Sequence, residues 1–249
     1  MQLSVYSFLF IIIGCSPVYT IQKTNQTEYV LSDSSNNTID STVYAYISPY
    51  KLKMESEMNV YLAESESALE KGSPEGKLGN FVADACMKET SKIFYPTDGK
   101  VVDFAVFNNG GLRRPLAGGK ITRKDVLELM PFENELVVLT LNGNSVKKIF
   151  NFIASKDGAP VSGVHLQIKE KQAINIFINN IPLDTTHIYK VLTSDYLANG
   201  GDSFDMLIDA PREKVNLKVR DAIIQFLEDA GRKGIKINVL LDGRISYAK

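Results

Sequence analysis

Apolar residues recur along this chain at two different periods, and the changes from one period to the other mark out its elements. Ser48-Pro49 offers an N-cap and an N1 proline, followed at spacings of four by Tyr50, Met54 and Met58, which predicts a first helix from Ser48. Val60 to Ala63 reads as a short strand. Beyond the loop Lys71 to Lys77, the residues Leu78, Phe81, Val82, Ala85 and Cys86 lie on one face of a second helix. Val101 to Phe107 is apolar throughout, as a buried strand would be. Thr122 and Asp125 have capping-box spacing ahead of a short helix carrying Val126, Leu127 and Met130. Leu136 to Leu141 predicts a strand ended by Asn142-Gly143, after which Asn144 is expected to cap a helix with Val146, Ile149, Phe150 and Ile153 inward. Val164 to Ile168 and Ala173 to Ile178 alternate at period two and predict an antiparallel hairpin. Tyr189 to Thr193 is a further strand. Asn216 is expected to cap a long helix that Gly231 stops, and Ile237 to Leu241 to close the fold as a last strand. Hairpins mixed with helices predict an α+β domain over 41–249, with no internal boundary or repeat.

The first 40 residues follow neither period. Phe8 to Ile13 is an apolar run too short to span a bilayer, and Ile12-Ile13-Gly14-Cys15 resembles the bacterial lipoprotein processing box. Residues 1–14 are therefore expected to be a signal peptide, with Cys15 as the lipidated first residue of an exported, membrane-anchored bacterial lipoprotein. Simple secretion or a periplasmic location is the alternative, since residues 1–7 contain no Lys or Arg. Ser, Thr and Asn dominate 15–40, the composition of a flexible tether. Asn25-Gln26-Thr27 and Asn36-Asn37-Thr38 match the glycosylation pattern, which matters only in a eukaryotic host.

Composition narrows the possibilities mainly by exclusion. With 28 basic and 29 acidic residues, a net charge of −1 supplies no field for a nucleic-acid polymer. Two cysteines provide no disulfide framework and no thiolate cluster; Cys86 reads as a small buried residue. The two histidines, His165 and His187, have no second His or Cys nearby in sequence, so no metal site is predicted. Metalloprotease, nucleophile-elbow, P-loop and dinucleotide motifs are also missing. No catalytic residue is assigned.

Three loops nevertheless have the chemistry of recognition: Asn108 to Arg114, Met130-Pro131-Phe132, and Asp195 to Asp202. Phe132 and Tyr196 offer two faces between which a base can stack, at about 1–3 kcal/mol per base. Asp202 can accept hydroxyls, and Arg113 brings a guanidinium fork beside the Asn108 amide. Glycines at Gly110 and in the Gly200-Gly201 turn allow close backbone approach. Each residue also has a structural reading of its own: Phe132 as a plug, Arg113 as a solvated charge, Asp202 as the N-cap of a helix starting at Ser203.

Four segments together resemble a known family. Gly76 to Ala85 (with Leu78-Gly79-Asn80 at its centre), Asn108-Asn109-Gly110-Gly111-Leu112-Arg113, Glu128 to Phe132 and Tyr196-Leu197-Ala198-Asn199-Gly200-Gly201-Asp202 are similar, in order and spacing, to the C-terminal domain of 5′-nucleotidases. The resemblance spans roughly Ser48 to the end. It implies a mixed layered sheet-and-helix fold that binds the nucleoside part of a nucleotide. Phe132 and Tyr196 would be the base-stacking aromatics, Asp202 the ribose ligand, and Asn108, Gly110, Arg113 and Gly201 further substrate contacts.

The departures from the family shape the functional expectation. Tyr196 stands where phenylalanine is common. The loop Lys71 to Lys77 has no arginine where well-studied members place one, leaving Lys71 or Lys77 as the substitutes for gripping phosphate. In the family, a separate N-terminal metallophosphoesterase domain holds two metal ions and cleaves the ester. Here only about 25 tether residues separate Cys15 from the folded region. The chain is thus expected to be the substrate-binding half of a split 5′-nucleotidase, with no cofactor of its own and with divalent ions in a separately encoded metallophosphoesterase partner. The alternative is a surface lipoprotein that captures nucleosides or nucleotides without hydrolysing them.

Overall fold

In the computed structural model, residues 23–25 and 40–248 are described; the expected signal peptide, Cys15 and nearly all of the expected tether lie outside them. The chain divides into one unit up to Tyr46 and another from Ile47 to Lys249. Helix α1 (Ser41–Met58) begins seven residues before the predicted start and contains Pro49. Asp40 is the reason: its Oδ1 accepts from the amides of Thr42 at 2.8 Å and Val43 at 3.1 Å, an N-cap upstream of Ser48. None of the α1 residues is buried. Among the described residues no helix is long and apolar enough to cross a membrane.

A five-stranded sheet runs through the larger unit in the order β10 (Arg212–Lys218), β4 (Glu135–Asn142), β9 (Ile188–Ser194), β2 (Phe104–Val106), β5 (Val161–Ser162). Only the β2–β9 pair is parallel. Its side chains alternate between two separate cores, as a pleated sheet covered on both faces requires. Ala105, Leu136, Val138 and Leu192 face the first core, shared with α2 (Lys77–Ile93), α3 (Arg123–Leu129) and α6 (Val219–Arg232). Phe104, Val106, Val137, Leu139 and Val191 face the second. There they meet α4 (Gly143–Ser155) and the hairpin β6 (Val164–Lys169) and β7 (Gln172–Ile178). The α+β layering expected from the sequence is what is found. A small sheet pairs β1 (Tyr61–Ser65) with β3 (Gly119–Thr122), and the hairpin extends into four strands with β8 (Ile181–Pro182) and β11 (Ile245–Tyr247).

Several boundaries differ from expectation, each for a local reason. β2 spans only Phe104–Val106, because the Asp103 carboxylate takes the Lys190 amide at 2.6 Å where a ladder carbonyl would serve, and Val101 is left exposed. Asn142, not Asn144, caps α4, its Oδ1 accepting from the Ser145 amide at 2.9 Å. Asn216 caps nothing: it sits within β10 at φ 60°, where the register shifts between Lys214 and Lys218 and Val215 and Leu217 both stay buried. α6 runs through Gly231 to Arg232, and Gly234 just beyond it, at φ 66°, supplies the left-handed turn. In place of a strand at 237–241, Ile237 alone pairs with the small sheet while Leu240 and Leu241 are exposed; the closing strand is β11, parallel to β6.

Candidate functional site

Strand direction explains why three loops far apart in sequence meet. β2 and β9 are parallel neighbours, in register at Phe104–Val191 and Ala105–Leu192, so the segments leaving them emerge at one edge of the sheet. β4 is antiparallel to β9 and pairs Leu136 with Ser194, so the segment entering β4 arrives at the same edge. These are the Asn108, Tyr196 and Phe132 loops. Backbone bonds fasten them together: Arg113 donates its amide to Leu129 O at 2.8 Å, and the Asp195 carboxylate accepts the amides of Glu135 at 3.1 Å and Tyr196 at 2.8 Å.

The Tyr196 loop is built in steps. Ser194 caps a single helical turn, α5 (Asp195–Ala198), accepting from the Leu197 amide at 3.2 Å. Gly200 then reverses the chain at φ 88°. Asp202 and Ser203 follow at φ 51° and 66°, left-handed conformations that cost non-glycine residues about 1 kcal/mol each. Asp202 is held there by its own partners. The Tyr196 hydroxyl donates to its Oδ1 at 2.9 Å and accepts from its amide at 3.2 Å, while the Asn108 amide donates to Oδ2 at 2.5 Å. This carboxylate pushes the Tyr196 phenol above its ordinary pKa, chiefly because the hydroxyl donates to it. Asp202 is therefore not the N-cap of a helix from Ser203.

A cleft of about 210 Å³ opens between the loops, lined by Asn108, Gly110, Arg113, Phe132, Tyr196 and Asp202. Six of the seven residues singled out in the sequence thus share one cleft. The seventh, Gly201, lies beneath the Tyr196 ring, where a Cβ would come within 2.4 Å of the ring carbons. Phe132 and Tyr196 are 40% and 42% exposed, so both rings keep surface free beside the cleft that they line. The Arg113 guanidinium lies 5.8 Å from the centre of the Phe132 ring. Asn134, which also lines the cleft, escaped sequence reasoning because a lone polar residue before a strand carries no local signal. Arg212 was missed likewise. Its guanidinium donates to Asn199 Oδ1 at 2.7 Å and to the carbonyls of Ala198 at 3.0 Å and Ile208 at 2.8 Å, bracing the glycine turn from β10.

A second hollow, of about 370 Å³, lies across the Asn108–Asp202 contact and shares both residues, with Phe152, Lys156 and Phe204 on its far side. Neither Lys71 nor Lys77 lines either cleft, and Lys77 donates instead to Ser67 Oγ at 3.2 Å. A larger hollow of about 560 Å³ between α2, α6 and the 235–244 segment contains none of the predicted residues. Among the described residues no three His, Cys, Asp or Glu side chains gather as metal ligands. Cys86 is buried, and burial together with the Glu89 charge pushes its thiol well above the ordinary range.

Two exposed rings, a braced carboxylate and a guanidinium form a surface suited to a flat heteroaromatic group carrying hydroxyls. Residues 57–209 match the family model of the 5′-nucleotidase C-terminal domain. A 5′-nucleotidase of Vibrio parahaemolyticus is 29% identical over 231 residues, 89% of this chain and 39% of the relative. The protein UshA of Yersinia enterocolitica is 35% identical over 133 residues, 51% of this chain and 24% of the relative. The crystal structure of a 5′-nucleotidase precursor from Thermus thermophilus superposes with a TM-score of 0.68 at 24% identity, covering 82% of this chain and 42% of that one. The chain thus spans well under half the length of these relatives, and the match to the family model extends from the end of α1 to just past the Tyr196 loop. Its fold is that of one part of such proteins, and the chain belongs to the 5′-nucleotidase C-terminal domain family.

Proposed function

We propose that this chain is the nucleoside-recognising half of a split 5′-nucleotidase. The observation that carries the reading is the cleft in which two exposed rings, Phe132 and Tyr196, flank a carboxylate, Asp202, braced by Asn108. The rings sandwich the base, Asp202 accepts from the ribose, Arg113 and Asn108 contribute polar contacts, and Gly110 and Gly201 let the backbone come close. Divalent metal ions and bond cleavage belong to a separately encoded metallophosphoesterase. Lipidation at Cys15 would hold this chain on the membrane, and a partner anchored on the same surface would meet it at raised effective concentration. Together they would hydrolyse nucleotides for salvage.

A second reading, a surface protein that captures nucleosides without hydrolysis, is favoured by one observation: Lys71 and Lys77, the expected phosphate contacts, line neither cleft. Titration calorimetry of the full chain with adenosine, AMP and a pyrimidine nucleoside tests the common core of both readings. Phe132→Ala and Tyr196→Ala should each weaken binding by roughly tenfold or more, the value of one lost stacking face. Unchanged affinity in both variants overturns the site. Phosphate release from AMP with added divalent metal, with and without a candidate metallophosphoesterase partner, separates the two. Release only with the partner supports the split enzyme, none in either case supports capture, and release by this chain alone rejects both.

A further inference from the structure

The Tyr196 hydroxyl has a task distinct from the stacking done by its ring. A carboxylate has about four acceptor positions, two on each oxygen. In Asp202 one position on Oδ1 is taken by the Tyr196 hydroxyl at 2.9 Å and one on Oδ2 by the Asn108 amide at 2.5 Å. That leaves one position on each oxygen. The two donors approach from different loops and pin the plane of the carboxylate, while the Asp202 amide donates to the same Tyr196 hydroxyl at 3.2 Å and fixes the backbone behind it.

The surroundings are shaped to this arrangement. A Cβ on Gly110 would lie 2.8 Å from Asp202 Oδ2, and one on Gly201 would enter the Tyr196 ring at 2.4 Å, so both glycines leave room for the pinned carboxylate and ring. Asp202 lines the cleft between the exposed rings as well as the hollow beside it, and no ion pair to it is found among the described residues. Two neighbouring acceptor positions of fixed orientation match two adjacent hydroxyl donors. A phenylalanine at 196 would keep the ring and lose the pin.

We propose that Tyr196 is a positioning residue that, with Asn108, orients Asp202 to select ligands carrying a vicinal cis-diol, making the cleft specific for ribonucleosides over 2′-deoxyribonucleosides. This rests on the nucleoside reading above and names the class of nucleoside. A ribose fills both free positions with its 2′- and 3′-hydroxyls. A 2′-deoxyribose fills one and leaves the other buried against the ligand without a donor, which costs about tenfold or more in affinity.

The test is calorimetry of the full chain with adenosine and 2′-deoxyadenosine, in wild type, Tyr196→Phe and Asn108→Ala. Wild type should favour adenosine by at least about tenfold, and the ratio should shrink towards one in both variants. Equal loss of affinity for both nucleosides, with the ratio unchanged, is what a merely structural hydroxyl gives and overturns the proposal. So does a wild type that binds both equally. A wild type that binds neither rejects the nucleoside reading itself, a result distinguishable from the other two. Far-ultraviolet circular dichroism confirms that each variant is folded, and 3′-deoxyadenosine checks that the second hydroxyl is read as well.

Discussion

Gly201 shows how much of the candidate site depends on the absence of one methyl group. Its backbone lies outside the left-handed region, so alanine is acceptable there on conformational grounds, but the Cβ would sit 2.4 Å from the Tyr196 ring. The ring must move, and its bond to Asp202 goes with it. Gly201→Ala is therefore expected to weaken adenosine binding at least about tenfold while lowering stability by less than about 1 kcal/mol, because the displaced ring is already solvent-exposed. Calorimetry beside a urea melt checks this, and full affinity in the variant would show that the ring does not contribute. Gly200, one residue earlier, is constrained by a different cause, its φ of 88°. The Gly-Gly pair was legible in the sequence; that the two glycines serve different needs was not, since only the folded loop brings the ring of Tyr196 over Gly201.

At the scale of elements, α6 ends with two glycines that separate packing from conformation. Gly231 lies inside the helix, with its missing Cβ only 1.9 Å from the Leu62 carbonyl of β1, so α6 rests directly on the small sheet. Gly234 lies beyond the helix at φ 66° with open space around it. Gly231→Ala should cost about 2–4 kcal/mol by pushing α6 off β1, whereas Gly234→Ala should cost about 1 kcal/mol through backbone strain alone. Urea midpoints of the two variants measure the difference, and equal losses would contradict the packing account. The apolar face of α6 could be read from its period, as could the α3 capping box, which is formed as predicted. The helix stop could not, because sequence marks Gly231 and Gly234 alike while only Gly231 faces another backbone. Asn216 misled for a related reason: asparagine suits caps and left-handed bulges equally, and the buried pair Val215 and Leu217 decided for the bulge.

Across the larger unit, the C-terminal segment is bound to α2 by a partly buried ionic cluster. The Arg244 guanidinium meets Asp84 at 2.9 and 3.0 Å, Asp242 at 2.8 and 3.0 Å, and the Val161 carbonyl at 2.7 Å. Glu75, just before α2, accepts the amides of Asp242 and Gly243 at 3.0 Å each. Arg244→Met should cost about 2 kcal/mol, since it leaves two carboxylates facing each other without their cation. The hydrogen bond from Arg244 holds Asp242 down at about 2, below its unfolded value near 3.8. A depressed carboxylate stabilises the fold above the unfolded pKa and loses that contribution as pH falls through the folded one. Between pH 4 and 2 the native chain should therefore lose about 1 kcal/mol from this group, kept small by solvent screening of a half-exposed side chain, and Arg244→Met should lose less over the same interval. Urea unfolding at successive pH values measures both.

What the sequence determined by itself was whatever depends on near neighbours in the chain. The helix faces, the 164–178 hairpin, the α3 cap and the residue types of the three loops all follow from periods and spacings of a few positions. The four segments in order also pointed to the right family. Only the tertiary structure decided which distant groups meet. The parallel pairing of β2 with β9 and the antiparallel entry of β4 bring Asn108, Phe132 and Asp202 to one edge, and the distant contact of Asp103 with Lys190 sets the true start of β2. It also settled what the Tyr196 hydroxyl touches. A hydrogen bond between residues 108 and 202 leaves no periodic trace along the chain, because strand order and direction, rather than spacing in sequence, bring its two ends together.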